Sequence, residues 1–284
     1  MKRSLWSAMA VAALTVGAVA VAFGPATPAF ADPAGLVLEG ETSISNNSDK
    51  TIKATCPSGK VVTGGGGYLT LSQAAEAHVA LDRLEPAADG SGFTATMRKV
   101  DGYGGNWMVT ALAICAPAPA GWQVVSSTGA NQDQYVTTPS CGAGKSVIGM
   151  GGRINGGSGE VVLDDVQPAF DLKTVTVRGV AIPGGADNTW TVTAFAVCAN
   201  TPPGLERVAL VSAYHDDPEL TLVKGCPAGK ALYGAGAAIG AGNGAVLLNG
   251  VNIAPLDTVR TWAHEISGGD PGTWNLTAYG ICGS

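Results

Sequence analysis

Cys56-Pro57-Ser58-Gly59-Lys60-Val61-Val62-Thr63-Gly64-Gly65-Gly66 returns as Cys141-Gly142-Ala143-Gly144-Lys145-Ser146-Val147-Ile148-Gly149-Met150-Gly151. It returns again as Cys226-Pro227-Ala228-Gly229-Lys230-Ala231-Leu232-Tyr233-Gly234-Ala235-Gly236. The three first cysteines stand 85 residues apart, and a period that regular means internal repetition. A second signature closes each copy. Trp107 to Cys115, Trp190 to Cys198 and Trp274 to Cys282 are apolar runs that share a Thr-Ala step: Thr110-Ala111, Thr193-Ala194 and Thr277-Ala278. Between them lies a weaker echo, Leu81-Asp82 to Pro86 against Leu163-Asp164 to Pro168. The third copy answers with Leu248-Asn249-Gly250-Val251, which places its proline at Pro255 after a two-residue insertion. The copies therefore run 32–120, 121–203 and 204–284, about 85 residues each.

The repeated segments read as strands. They are short, rich in β-branched and aromatic residues, and bounded by Gly, Pro, Asn and Asp clusters such as Ala88-Asp89-Gly90-Ser91-Gly92. The Gly-x-Gly pairs point to bulges or close backbone packing inside a strand. Nothing holds a helical period, apart from a possible single turn within Leu71 to Ala80. Five or six strands per copy are expected, and the fold class is all-β.

Six cysteines admit fifteen pairings. Repeat symmetry leaves two sets, one within copies and one between them. The within-copy set, Cys56–Cys115, Cys141–Cys198 and Cys226–Cys282, is the expected one, because it serves every copy without requiring the chain ends to meet. Two architectures fit. In one, the copies form a single pseudo-threefold β-prism. In the other, three small β-sandwiches follow one another, with Ala116 to Ala120 and Asn200 to Pro203 as linkers. Each copy is small for a core of its own. The apolar closing strands call for burial on both faces, which favours the prism.

The first 31 residues read as a secretory signal peptide. Lys2 and Arg3 precede an apolar stretch from Ala8 to Phe23, and Ala29-Phe30-Ala31 supplies the small residues for cleavage before Asp32. No later stretch is apolar for long enough to span a membrane. Losing Lys2 and Arg3 takes the net charge from -6 to -8. That balance argues against nucleic acid and anionic membranes as partners. An extracellular location suits the disulfides.

Cys-Pro-x-Gly followed by an apolar, glycine-ended strand, a Leu-Asn-Gly-Val strand and an apolar strand closing on Cys, three times over, resembles the vitelline membrane outer layer protein I family. Cys56 to Gly59, Cys226 to Gly229 and Leu248 to Val251 carry the resemblance. It implies a secreted, disulfide-bonded β-prism of three sheets and a carbohydrate-related role. The copies here are longer than that family's.

The search for chemistry yields no catalytic constellation. Gly142-Ala143-Gly144-Lys145-Ser146 has the tail of a phosphate-binding loop. However, Pro139 stands where its first glycine belongs, and a strand follows where a helix is needed. Lys60, Lys145 and Lys230 then read as solvated turn residues. His78, His215 and His264 occupy unrelated places in their copies and lack metal-ligand spacing. No metal or cofactor is expected. Asp82, Asp164 and Asn249 are the repeated polar candidates: acceptors for sugar hydroxyls, or residues fixing a strand end. Trp107, Trp190 and Trp274 read as core, while Trp122 and Trp262 read as more exposed.

The expected function is a secreted, non-catalytic adaptor or scaffold that binds another secreted protein in an extracellular assembly, such as a cell-surface complex or an antibacterial toxin particle. The alternative is a lectin-like module binding glycans through repeated sites; a hydrolase ranks third, since it would need a constellation assembled across copies that the sequence does not display. Adaptor and lectin differ in symmetry. A lectin repeats one polar and aromatic cluster, whereas an adaptor has an asymmetric apolar surface where the copies differ. Residues 32 to 40, as a strand to be given or paired, and the insertion Gln73 to Glu76 are the places to look.

Overall fold

A computed structural model describes residues 35–70, 73–129, 135–185, 190–269 and 271–284. The signal-peptide reading and its cleavage site lie outside these residues.

Among the described residues, each copy contains six strands. The first has β1 (Val37–Thr42), β2 (Lys50–Thr55), β3 (Lys60–Thr70), β4 (Val79–Pro86), β5 (Gly92–Lys99) and β6 (Met108–Pro117). The second has β7 (Gln123–Gly129), β8 (Tyr135–Thr137), β9 (Lys145–Asn155), β10 (Val161–Pro168), β11 (Val175–Ala181) and β12 (Thr191–Asn200). The third has β13 (Glu206–Val211), β14 (Glu219–Gly225), β15 (Ala231–Gly240), β16 (Val246–Ile253), β17 (Thr258–Glu265) and β18 (Asn275–Gly283). One 3-10 turn, Gln73–Ala75, lies within the stretch read as a helical turn.

The strands form three six-stranded antiparallel sheets, and each sheet is shared between two copies. Their orders are β1-β6-β3-β16-β17-β14, β2-β5-β4-β9-β12-β7 and β13-β18-β15-β10-β11-β8. A copy is thus a sandwich of two three-stranded halves, and each half continues edge to edge into a neighbouring copy. The two expected architectures merge: sandwiches exist, but none owns a complete sheet, and residues 31–284 form one compact unit.

The glycine signature explains the joint. Gly64, Gly149 and Gly234 meet one another where the three copies converge. A Cβ on Gly64 would stand 2.3 Å from Tyr233 O, one on Gly149 would stand 1.8 Å from Thr63 O, and one on Gly234 would stand 2.7 Å from Gly149 Cα. These contacts define a pseudo-threefold axis. The next glycine of each pair, Gly66, Gly151 or Gly236, faces a carbonyl of the neighbouring copy: Val251 O, Leu84 O or Val166 O, within 2.1–2.3 Å of a built Cβ. Among the described residues, the sheets cross between copies here, through Gly67↔Val251 and Tyr68↔Gly250, Gly152↔Leu84 and Arg153↔Arg83, and Ala237↔Val166 and Ala238↔Asp165. No side chain larger than hydrogen fits such an approach.

The disulfides join Cys56–Cys115, Cys141–Cys198 and Cys226–Cys282, with Cα separations of 5.6, 5.5 and 5.8 Å. Each ties the turn before the glycine strand to the closing strand. Trp107, Trp190 and Trp274 are buried, as expected of core residues. Trp262 is also buried and packs against Tyr68 with ring centroids 5.7 Å apart, contrary to its expected exposure. Half-buried Trp122 donates from Nε1 to Val62 O at 2.8 Å. Pairing corrects one alignment. Pro86, Pro168 and Ile253 face Phe93, Val175 and Val259, so Ile253 holds the third place and Pro255 belongs to the following turn.

Candidate functional site

Asp82, Asp164 and Asn249 occupy equivalent β-bulges, where the register slips between Leu81 and Arg83, Leu163 and Asp165, and Leu248 and Gly250. All three are buried. Asp82 Oδ1 faces Arg98 Nε across 3.2 Å, and Asp164 Oδ2 accepts from Arg178 Nη1 at 3.2 Å. Asn249 Nδ2 donates to Glu76 O at 2.9 Å and Val79 O at 2.7 Å, which anchors the first-copy insertion on the third copy. The side chains are engaged inside the protein, and their burial leaves no open surface for a sugar. Their repetition reflects the bulge; Asp82 and Asp164 are held by an arginine of their own copy, and Asn249 by backbone carbonyls of the first copy.

Burial raises the Asp82 carboxyl from 3.8 to about 6, and the Arg98 guanidinium offsets only part of that rise. A folded-state pKa above the unfolded one means that the folded protein holds the proton more firmly. Stability therefore falls as pH rises from about 4 to about 6, and the penalty persists above. Asp82→Asn, which copies the third-copy residue, is expected to gain about 1–3 kcal/mol relative to the parent at pH 7 over its relative stability at pH 4. Thermal midpoints of both proteins at both pH values check this. Equal differences at the two pH values would remove the Asp82 titration from the account.

The three lysines are partly buried. Lys60 Nζ donates to Gly35 O. Lys230 Nζ donates to Gly204 O at 2.5 Å and pairs with Glu206. Lys145 Cε lies 3.0 Å from where a Cβ on Gly121 would stand. Lys60 and Lys230 thus secure the glycine that opens their own copy, and Lys145 lies beside its counterpart. Lys145 begins strand β9, as its reading as a strand rather than a phosphate-loop helix requires. Among the described residues, no group of three or more His, Cys, Asp or Glu could hold a metal ion.

The copies differ most tellingly at their edge strands. Strands β1, β7 and β13 pair alike with the closing strands. Glu41, Ser127 and Leu210 face Ala111, Ala194 and Ala278, while Thr42, Thr128 and Val211 face Thr110, Thr193 and Thr277. On the other edge, Lys53, Thr137 and Val223 face Thr94, Thr176 and Arg260. The first two copies place charge or hydroxyls at these positions, and the Thr42 and Thr128 hydroxyls bond across the ladder at 2.8 Å. The third copy places aliphatic groups there. Leu210, Val211 and Val223 are 38%, 56% and 54% exposed, and Tyr214, just beyond β13, is 60% exposed.

Sheet edges carry unpaired backbone groups, and charged or polar side chains are a usual guard against further pairing. Strand β1 runs Val37-Leu38-Glu39-Gly40-Glu41-Thr42, with its charges towards the far end; strand β13 starts on Glu206-Arg207 and ends on Val208-Ala209-Leu210-Val211, and β14 carries Glu219 and Lys224 at its two ends, so only the far end of β13 and the middle of β14 are aliphatic. Residues 37–40, read as a strand to be given or paired, already belong to the guarded edge β1, and 32–34 lie outside the described residues. The sequence reading missed Leu210, Val211 and Val223. A position-by-position comparison of the three copy starts carries their signal.

The chain matches no protein-family model, and no curated protein matches it. Among the described residues, no helix is long and apolar enough to cross a membrane.

Proposed function

We propose that this protein is a secreted, non-catalytic adaptor or scaffold subunit, and that it binds another secreted protein at the edge strands of its third copy. The observation that carries this reading is the broken symmetry at Leu210, Val211 and Val223, where the same fold elsewhere places Glu41, Thr42, Lys53, Ser127, Thr128 and Thr137. An added strand takes affinity from main-chain hydrogen bonds and specificity from alternate side chains. Exposed Val and Leu beside unpaired backbone suit an apolar, extended partner segment. Three disulfides in so small a set of cores suit an extracellular working environment.

The test is recovery of partners from native culture supernatant by tagged protein, read by mass spectrometry. The parent is expected to recover one or two secreted proteins stoichiometrically. Val211→Lys, which installs an edge guard, is expected to reduce recovery about tenfold or more, a loss of ~1.4 kcal/mol. Thr42→Lys, the same change at the first-copy equivalent, is expected to leave recovery intact. Equal recovery with both variants, or no partner for the parent, would sink the assignment.

A further inference from the structure

The glycines that open the second and third copies are followed by Trp122 and Leu205. Trp122 N donates to Pro119 O at 3.0 Å and Leu205 N to Pro202 O at 3.3 Å, so the two positions match. Where the first and second copies join, the Trp122 indole crosses from the second to the first. Its Nε1 donates to Val62 O, and its ring edge lies 3.2 Å from where a Cβ on Gly90 would stand. Gly90 O in turn accepts from Val62 N at 2.9 Å. An indole of the protein itself thus plugs this joint.

The joint between the second and third copies has the same frame without the plug. Leu172 takes the place of Gly90, since Leu172 O accepts from Val147 N at 2.7 Å. Leu205 takes the place of Trp122 and brings neither a ring nor an N–H. A cavity of about 450 Å³ stands there, lined by Leu172, Leu205, Ser146, Thr201, Phe170 and Arg207. Phe170 stands where the first copy has Ala88, and it is 89% exposed. Arg207 stands where the other copies have Leu38 and Val124. Its guanidinium lies 4.6 Å from the centre of the Tyr279 ring, and its Nε is buried without a hydrogen-bond partner among the described residues. The two carboxylates at the cavity are engaged: Asp171 Oδ1 accepts from Lys173 N, and Glu206 pairs with Lys230.

We infer that this cavity receives a tryptophan side chain of the partner, in the place that Trp122 fills one joint away. The first joint shows that the frame fits an indole. Leu172 and Leu205 supply the apolar floor, Phe170 a ring to pack against, and Arg207 a cation for the indole face. Ser146 Oγ and Thr201 Oγ1, 2.8 Å apart, supply acceptors for the indole N–H. Buried aromatic anchors of this kind carry much of the energy of an interface. The cavity also reaches the start of the proposed binding edge. Glu206 and Arg207 begin β13, and Val211 ends it, about 13 Å beyond Arg207 along the strand. One extended partner segment with a tryptophan towards one end can occupy both. The inference rests on that reading of the edge and adds the partner's anchor to it.

The probe is N-acetyltryptophanamide, titrated into isotope-labelled protein and followed by NMR. It is expected to shift the amide signals of Leu172, Leu205 and Arg207. Leu205→Trp, which transplants the plug, should weaken probe binding and partner recovery tenfold or more. Phe170→Ala, at an exposed position where misfolding is not at issue, should weaken both several-fold. Val211→Lys should leave probe binding unchanged. A probe that shifts nothing in the cavity, or that binds both cavity variants as it binds the parent, would overturn the inference. So would full partner recovery by both cavity variants alongside poor recovery by Val211→Lys, a pattern that leaves the edge reading standing. The reverse pattern would sink the edge reading and keep the cavity as the partner's site. Probe binding that the variants abolish without any change in recovery would make the cavity a site for free aromatic molecules, against this inference.

Discussion

Gly149→Ala is expected to cost on the order of 5 kcal/mol, the range in which single substitutions become exceptional, and to cost it across the whole molecule. The added methyl would stand 1.8 Å from Thr63 O and 2.8 Å from Thr63 C, both backbone atoms of the first copy. No rotamer change relieves a contact with backbone, so β3 or β9 must move. Either movement disturbs the contacts of Gly64 and Gly234, which share the same ring. Two other glycines separate this effect from ordinary glycine loss. A Cβ on Gly144 meets nothing within 4 Å, but φ there is +71°; alanine should cost about 1–2 kcal/mol. Gly104 is open and carries no such φ, so alanine there should change stability by less than about 0.5 kcal/mol. Chemical denaturation of the three variants checks the order. A Gly149→Ala protein as stable as Gly104→Ala would refute the axial ring.

The sequence alone reaches some of this architecture and not the rest, for physical reasons. Disulfide pairing was legible because the regular period leaves two symmetric sets, and only the within-copy set spares the chain ends from meeting. Core roles for Trp107, Trp190 and Trp274 were legible because each opens a run that is apolar on both faces. Close packing at Gly-x-Gly was also legible, but its partner was not. The same glycines would serve contact within a copy, and the joint between copies rests on few residue pairs, among them Gly67↔Val251. The repeated polarity of Asp82, Asp164 and Asn249 was visible, whereas their burial was not. A one-residue bulge changes which way a side chain faces and leaves no mark on composition. The edge of the third copy was missed for another reason. Leu210 and Val211 look like any strand until the register sets them against Glu41 and Thr42.

That sharing of sheets decides what losing one disulfide does. Replacing Cys141 and Cys198 together by alanine is expected to cost about 2–5 kcal/mol, a fall in melting temperature of roughly 5–15 °C for a chain of this size. The bridge closes a loop between residues 57 apart in sequence. It also fastens the second copy, whose core is largely its own: Val147, Met150, Leu163, Val177 and Trp190 form a cluster distinct from the one that the first and third copies build together. Beads on a string would respond locally, with a new early transition for the second copy and unchanged melting of the other two. Here β9 extends the sheet of β4 and β10 extends that of β15. Unfolding the second copy strips both neighbours of a sheet partner and breaks the axial ring at Gly149. Calorimetry of the double variant should therefore show one transition, shifted down as a whole, with its calorimetric and van't Hoff enthalpies in agreement. A split trace with a high-temperature component at the parent's midpoint would mean that the copies fold separately and that the shared sheets contribute little to cooperativity.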